Sequence, residues 1–500
     1  MATVVIVGAG PTGLTLACGL ARQGVPVRVL DRAEEHPTGS RGKALNPRSL
    51  EILADLGLAE SLAAHGRTHL PFRKYYEGSF VNDTDPFADA VPTPDAPYES
   101  GLTLPQWRVE GLLREKLAEY GVEVELGTEL AGFEQDEDGV TALLGDGGRI
   151  RADYLVACDG GRSTVRKQLG IPFEGNGDPE SAMVCGDVEV EGLEPDRWHQ
   201  WFGPTGAFML CPFPGEPRWQ LQATPELDAD GTPLPPSLES FRRLAERYTG
   251  RTDLRLSNAT WLSTWRINVR MVDRYRVGRV LLAGDCAHVH PIAGGLGMNT
   301  GIQDAWNLGW KLGHVARGLA GPDLLDSYQE ERLPVAAWTL GISNAGMAAV
   351  AEGTRTPGVG VEAGRVGDVT GLSIGYRDGS LADDLLDGPL RAGDRAPDAP
   401  CTAADGTPVR LFEAFAGDDF TLLGFGAGAL PALSGLPAHV RPLAVDAGPD
   451  GLADGGGHAR RAYGVTGDAL VLVRPDNHVA LTVAAGPAAG DTVRAYLASL

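Results

Sequence analysis

Five hundred residues, 43% of them hydrophobic and 22% charged, make an ordinary globular chain long enough for about two to four domains. The net charge of −23 argues against nucleic acid or an anionic membrane as partner, and no apolar run reaches the ~18 residues of a membrane span. The six cysteines (Cys18, Cys158, Cys185, Cys211, Cys286, Cys401) form no CxxC pair, so neither a zinc site nor a disulfide framework is expected and free thiols in a reducing cytoplasm are.

In chain order, Met1 leads directly into a strand, Thr3 to Val7, which leaves no room for a signal peptide and fits a cytoplasmic protein. Gly8-Ala9-Gly10-Pro11-Thr12-Gly13 follows, then a helix through Gln23 and a strand Val27 to Leu30 ending at Asp31 and Arg32. This is a βαβ unit with GxGxxG at its turn and an acid after its second strand, the pattern of a dinucleotide site. Gly8 permits the tight turn, Gly10 lets a pyrophosphate approach, and Gly13 lets helix and strand pack closely. Arg41 precedes a helix over roughly Pro47 to His65; it is either a solvated surface residue or a phosphate contact. Residues 66–104 have no long period and are expected to be irregular. A helix from Gln106 to Tyr120 and strands near Val122–Glu125 and Val140–Leu144 come next.

A buried strand, Tyr154 to Cys158, ends in Asp159-Gly160 ahead of a helix, a second acid-and-glycine site at a strand end. From Ser181 to about Arg274 short alternating segments predict an antiparallel sheet, namely Met183–Val190, Trp198–Phe202, Phe208–Pro212, Trp219–Gln222 and Thr260–Ile267. These segments hold five of the nine tryptophans (Trp198, Trp201, Trp219, Trp261, Trp265). Each alone reads as core, but together they could wall a pocket for a flat apolar molecule.

The third strand end is the most informative. Val280 to Ala283 is an apolar strand broken by Gly284-Asp285, followed by Pro291, the glycines Gly294, Gly295 and Gly297, and a helix from near Met298 with Ile302, Ala305, Leu308 and Leu312 on one face. A carboxylate and a glycine loop thus sit at the positive end of a helix dipole, a place that stabilises an anion and admits a flat ligand against main chain. A packing turn would look the same singly; one ligand geometry repeated at Gly8, Asp159 and Asp285 explains all three. After Leu312 two helical stretches are expected, Leu324 to about Leu333 and then to Val350. A Gly-rich linking segment is expected at 353–371, then a small separate domain with strands Phe420–Phe425, Ala469–Val473 and Ala480–Val483 and a last helix to Leu500. Its one cysteine, Cys401, excludes a dithiol oxidoreductase.

GAGPTG with Asp31, CDGGRSTVR, and RVLLAGDCAHVHPIAGGLGMNTGIQDA stand in this order from Met1 to about Val350. Together they resemble the class A flavoprotein aromatic hydroxylases of the para-hydroxybenzoate and phenol hydroxylase type. The tail from Gly393 is similar to the thioredoxin-like C-terminal domain of the phenol hydroxylase branch. In length and tail the chain looks most like the bacterial hydroxylases that tailor aromatic polyketides. The resemblance implies an α/β fold, in which a Rossmann-like FAD-binding domain carries an inserted antiparallel-sheet substrate domain and a thioredoxin-like tail. The expected domains are residues 1–175 (with the excursion 66–104), 176–275, 276–390 and 391–500, the first and third together binding FAD.

Carried over by position, the resemblance gives Gly8, Gly10, Gly13, Asp31 and Arg32 to the ADP half of FAD, and Arg41 and Gln106 to further cofactor contacts. Asp159 and Gly160 match the pair linked to both FAD and NADPH. Gly284 and Asp285 match the acid turn at the ribityl chain, and Pro291, Gly295, Leu296, Gly297, Met298 and Asn299 the loop under the isoalloxazine ring. Many relatives have Gln where this chain has Leu296, which keeps main-chain contacts and loses a side-chain one. The implied activity is an NADPH- or NADH-consuming monooxygenase that uses molecular oxygen. It would hydroxylate a phenolic, polycyclic substrate through a flavin C4a-hydroperoxide, with no metal and with a homodimer as the assembly to test. No protein nucleophile is required; His288 and His290 invite a general-base reading, with His290 the candidate, although a His beside a Gly-Asp turn is more often structural. Baeyer–Villiger oxygen insertion, a flavin-dependent reductase and a non-catalytic flavin-binding protein remain open on the same motifs.

Overall fold

Four strands in a row end at the same edge of one sheet, and that edge organises the molecule. The computed structural model describes residues 4–98, 100–291 and 293–500, with the side chains of 178–181 and 267 outside the description; the expected strand start at Thr3 also lies outside it. The six-stranded sheet runs 276–277, 280–282, 154–157, 4–7, 27–30, 124–125. All neighbours are parallel except the outer 276–277/280–282 pair. Its strands are near-continuous apolar runs because helices cover them: Val4–Val7 is buried throughout, as are Tyr154–Ala157 and Val280–Leu282. Helix Pro11–Arg22 packs against helix Leu296–Ala316, and Gln23 ties them by donating to the Gly309 carbonyl (3.1 Å).

An eight-stranded sheet lies beside it, ordered 288–289, 255–271, 174–191, 218–223, 206–212, 198–203, 72–76, 79–84. This corrects the expectation for 66–104. Phe72–Tyr76 and Ser79–Thr84 form a hairpin across Glu77-Gly78, whose φ values of 47° and 79° are those of a tight two-residue turn matched to strand twist. The hairpin joins Trp198–Gly203 in parallel, so the sheet is mixed rather than antiparallel throughout. Alternation sorts its residues: Val184, Val188, Phe208, Leu210, Trp219 and Leu221 pack under helix Leu238–Thr249, and the residues between them face the other way.

Three further expectations change. The helix expected over 47–65 is two, Pro47–Asp55 and Ala59–His65, broken where Gly57 takes φ 79°. The boundary expected near Leu333 is absent: after a short turn at Pro322–Leu325, one helix runs Asp326–Gly353 straight through Pro334. Glu331 and Arg332, just before Pro334, are fixed by buried ion pairs, and Val335 and Ala336, just after it, are buried. Tertiary contacts therefore offset the lost hydrogen bond. With its lead turn, 322–353 is long and apolar enough to cross a membrane (mean hydropathy 1.3), but its first half buries Tyr328, Glu331 and Arg332 in protein.

The tail has its own sheet and core but is docked on the rest of the chain. Its five-stranded sheet, ordered 383–385, 479–484, 469–473, 420–425, 440–445, takes Asp383–Leu385 from before the expected boundary at 391. Its core includes Trp310, Leu324 and Leu381 from outside the tail. Arg474 forks onto Glu331 (2.6 and 2.9 Å) and Asp476 (2.9 and 2.6 Å), these three groups being out of water together with Lys311, which gives Glu331 a further bond (2.6 Å). Burial opposes ionisation of Glu331, but Arg474 and Lys311 prevail and bring its pKa to about 2.

Candidate active site

At the shared sheet edge the turns after the strands bring Asp285, Asp159, Gly8 and Asp31 side by side, because their strands are consecutive neighbours. Gly8 has φ 103°, and a Cβ there would stand 2.3 Å from the Cys158 carbonyl oxygen; a Cβ on Gly13 would stand 2.0 Å from the Gly8 oxygen. Gly10 has nothing within 4 Å of a Cβ, so main chain is open to the cavity there. Gly10 caps helix Pro11–Arg22 without a side-chain bond, which leaves the first amides available to an anion. Asp31 secures the loop by accepting from Ala9 N (2.8 Å) and Ala33 N (2.9 Å).

Asp159 accepts from Thr164 N (2.8 Å) through Oδ2, while Oδ1 is buried with no hydrogen-bond partner, beside the cavity that the residue lines. Burial raises its pKa, against those hydrogen bonds. Arg166 joins this turn to the next, donating to the Gly161 and Cys286 carbonyls (both 2.9 Å). Asp285 is exposed to the cavity yet enclosed by protein on its other sides, and that burial raises its carboxyl pKa, with His288 and Arg41 opposing.

Gly294 and Gly295 take φ 76° and 66°, and Gly295 starts helix Leu296–Ala316 without a side-chain cap. Behind the loop, Asp304 accepts from Gly284 N (3.0 Å), His288 Nε2 (2.7 Å) and Arg332 Nε (2.7 Å), all fully buried. Burial opposes its ionisation, but Arg332 and His288 outweigh that and hold its pKa low. Arg332 also donates to Tyr376 Oη (3.0 Å).

One cavity of about 1710 Å³ runs from this edge to the face of the eight-stranded sheet. The expected residues Gly8, Gly10, Asp31, Arg32, Arg41, Gln106, Asp159, Gly160, Asp285, Pro291, Gly295, Leu296, Gly297, Met298 and Asn299 line it, as does His290. Gly13 and Gly284 do not; both lie behind the wall, where Gly284 approaches Thr12. His288 is also off the cavity, its ring held by Asp304, which corrects any general-base role for it. His290 faces the cavity, and burial lowers its pKa to about 4, so it is neutral at pH 7. Asn299 has its side chain committed to Asn46 N, Ala44 O and Gly295 O, so it can offer a ligand only main chain.

The tryptophans divide. Trp201 and Trp219 are core, whereas Trp198, Trp261 and Trp265 line the cavity. A bulge sets Trp261: Gly186 and Asp187 pair with Leu262 and Thr260, leaving Trp261 as the extra residue at φ 44°, its ring against Gly39. The segment expected as a linker at 353–371 instead supplies Val361, Glu362 and Arg365 to the cavity. Sequence reasoning also missed Lys43, Gln220 and Gln222 on this wall; the polar residues alternating within WQLQ were the readable signal.

The FAD binding domain family matches residues 1–341, and the family described as aromatic-ring hydroxylase, C-terminal, matches residues 390–500. The chain belongs to the FAD-dependent aromatic-ring hydroxylases. It is 41% identical to a flavin-dependent monooxygenase of Mycobacteroides abscessus, over 99% of both chains. It is 35% identical to 6-methylpretetramide 4-monooxygenase of Streptomyces rimosus, over 98% of this chain and 91% of that one. Among solved structures, a ternary complex of aklavinone-11 hydroxylase with FAD and aklavinone superposes with a TM-score of 0.84 at 29% identity, covering 99% of this chain and 98% of that one. This hydroxylase is thus a flavin-dependent aromatic monooxygenase with FAD as its cofactor, and the open Gly10 main chain, the two uncapped helix starts and the unpartnered Asp159 oxygen fit that cofactor.

Proposed function

We propose that this enzyme hydroxylates a phenolic, polycyclic aromatic polyketide at the expense of NADPH or NADH and molecular oxygen. One observation carries the reading: the glycine-and-acid edge and the aromatic sheet face open into the same cavity. At about 1710 Å³ it exceeds the roughly 300–1,000 Å³ of an ordinary small-molecule pocket, leaving room for a dinucleotide and a second flat molecule. The relatives named for 6-methylpretetramide and aklavinone support the substrate class.

Gly8, Gly10, Asp31 and Arg32 would hold the adenosine and pyrophosphate, Arg41 and Asp285 the middle of the cofactor, and Gly295 to Asn299 the ring. Asp159 and Gly160 would serve cofactor and nicotinamide together. FAD would supply the redox and oxygen-transfer chemistry when bound. The chain's own part is to orient and exclude water. The Gly295–Met298 helix start offers its amides to negative charge on the ring edge, and Trp198, Trp261 and Trp265 align a flat substrate over it. A cytoplasmic homodimer belongs to the same proposal, and light scattering on the purified enzyme checks the assembly.

The test is stopped-flow absorbance of the NAD(P)H-reduced enzyme mixed with oxygen and 1,2-dihydroxyanthraquinone. The reading expects a transient adduct band before oxidised flavin returns, with hydroxylated product. Direct reoxidation without a transient, across several polyphenols, would overturn it in favour of a reductase.

A further inference from the structure

Lys43 is a cation on the cavity wall that no carboxylate pairs with among the described residues. It follows Gly42, whose position packs near Met298, and precedes strand Ala44–Leu45, so it belongs to the loop facing the proposed ring site. Its side chain crosses to the sheet. Nζ donates to Gln220 Oε1 (2.8 Å) and Gln222 Oε1 (2.9 Å) and lies 3.9 Å from the centre of the Trp198 ring. Gln220 and Gln222 face the cavity because Trp219 and Leu221 take the core side of the strand.

The acceptor geometry is imposed from behind. Gln220 Nε2 donates to Ser40 Oγ (2.7 Å) and to the Arg41 carbonyl (2.9 Å), which turns its oxygen toward Lys43. Ser40 in turn donates to both oxygens of Asp187 through Oγ (2.5 Å) and N (2.8 Å). Asp187 therefore reaches Lys43 by hydrogen bonds only through that relay, and otherwise acts on it as a charge without contact. The nearby thiols of Cys185 and Cys211 are pushed up to about 11 by burial and carry no charge at neutral pH. Burial lowers the pKa of Lys43 itself, outweighing the opposing charge of Asp187. Two amide oxygens and an indole face solvate an ammonium without neutralising it. A cation held this way is costly until an anion arrives.

We propose that Lys43 seats an ionised phenolic oxygen of the substrate, held ready by the cradle of Gln220, Gln222 and Trp198. On binding, the phenol releases its proton to bulk water and Lys43 keeps its three. The resulting phenolate is richer in electrons at its ortho and para carbons, and anchoring its oxygen at Lys43 orients one of these toward the cofactor loop. Lys43 is thus an orienting and specificity-determining residue. The proposal rests on the hydroxylase reading above.

The experiment uses the FAD-loaded enzyme and 1,2-dihydroxyanthraquinone, whose colour reports its ionisation, in a pH series at saturating enzyme. Bound dye should ionise about 1–3 pH units below free dye. Lys43→Met should abolish that shift and weaken binding about tenfold or more at pH 7, while Lys43→Arg keeps the shift. Dye that binds the wild-type enzyme unshifted, or a shift that survives in FAD-loaded K43M, overturns the Lys43 proposal and leaves the hydroxylase reading standing. Failure of the wild type to bind any polyphenol overturns both. Should K43M not retain FAD, K43R decides: a kept shift supports the seat, and bound but unshifted dye refutes it.

Discussion

At the parallel-sheet end of the cavity the wall is mostly main chain: turns after strands, glycines at Gly8, Gly10, Gly294 and Gly295, and two uncapped helix starts. At the other end it is side chain, with Trp198, Trp261, Trp265, Met183, Met209 and the glutamines standing off strands far apart in sequence. The main-chain end is also braced from behind by the buried Asp304–Arg332 ion pair, with His288 hydrogen-bonded to Asp304, directly under the Gly284 turn. A cofactor common to a whole family can be held by groups every residue possesses, whereas a particular substrate needs particular side chains. Substitutions at the first end should therefore cost stability and FAD, and those at the second should cost only substrate.

The largest effect is expected behind the main-chain end. Arg332→Met leaves Asp304 buried with one cation fewer, at a cost of about 3–5 kcal/mol in unfolding free energy and with loss of bound FAD. Urea denaturation and the flavin-to-protein absorbance ratio measure both; unchanged stability would mean that the network does not brace the loop. Gly13→Ala comes next. Its methyl would meet the Gly8 carbonyl at 2.0 Å, so a backbone shift costing about 1–3 kcal/mol and clear loss of flavin are expected by the same two measurements. The smallest effect belongs to the far end. Trp265→Leu should keep the flavin ratio of the wild type while weakening 1,2-dihydroxyanthraquinone binding by about 1 kcal/mol, read by fluorescence titration. If it instead lost FAD, the division between the two ends would fail.

The same division explains what was legible. The three strand-end motifs were readable because each is local: strand, turn and helix are contiguous, and glycine signals main-chain geometry directly. The hairpin at Glu77-Gly78 was hidden because its strands break the apolar-in, polar-out pattern, with Lys74 buried and Phe80 and Val81 exposed. Helix Asp326–Gly353 was misread at Pro334 because its continuity depends on ion pairs to residues distant in sequence. Trp201 and Trp198 looked alike as aromatic residues on one strand, and only the sheet's neighbours made one core and the other cavity wall. The tail's docking likewise depends on Arg474 reaching Glu331, 143 residues away.

By itself, then, the sequence determined the dinucleotide fold, the three turns that face the cavity and the family, since periodicity and glycine placement act over a few residues at a time. Tertiary structure alone decided that the excursion 72–84 completes the second sheet, that the linker 353–371 closes the cavity, and that Lys43 meets Gln220 and Gln222. The reason is physical: a side chain's role is set by what faces it across a sheet or cavity, and those partners lie well over a hundred residues away in sequence, beyond the reach of any local pattern.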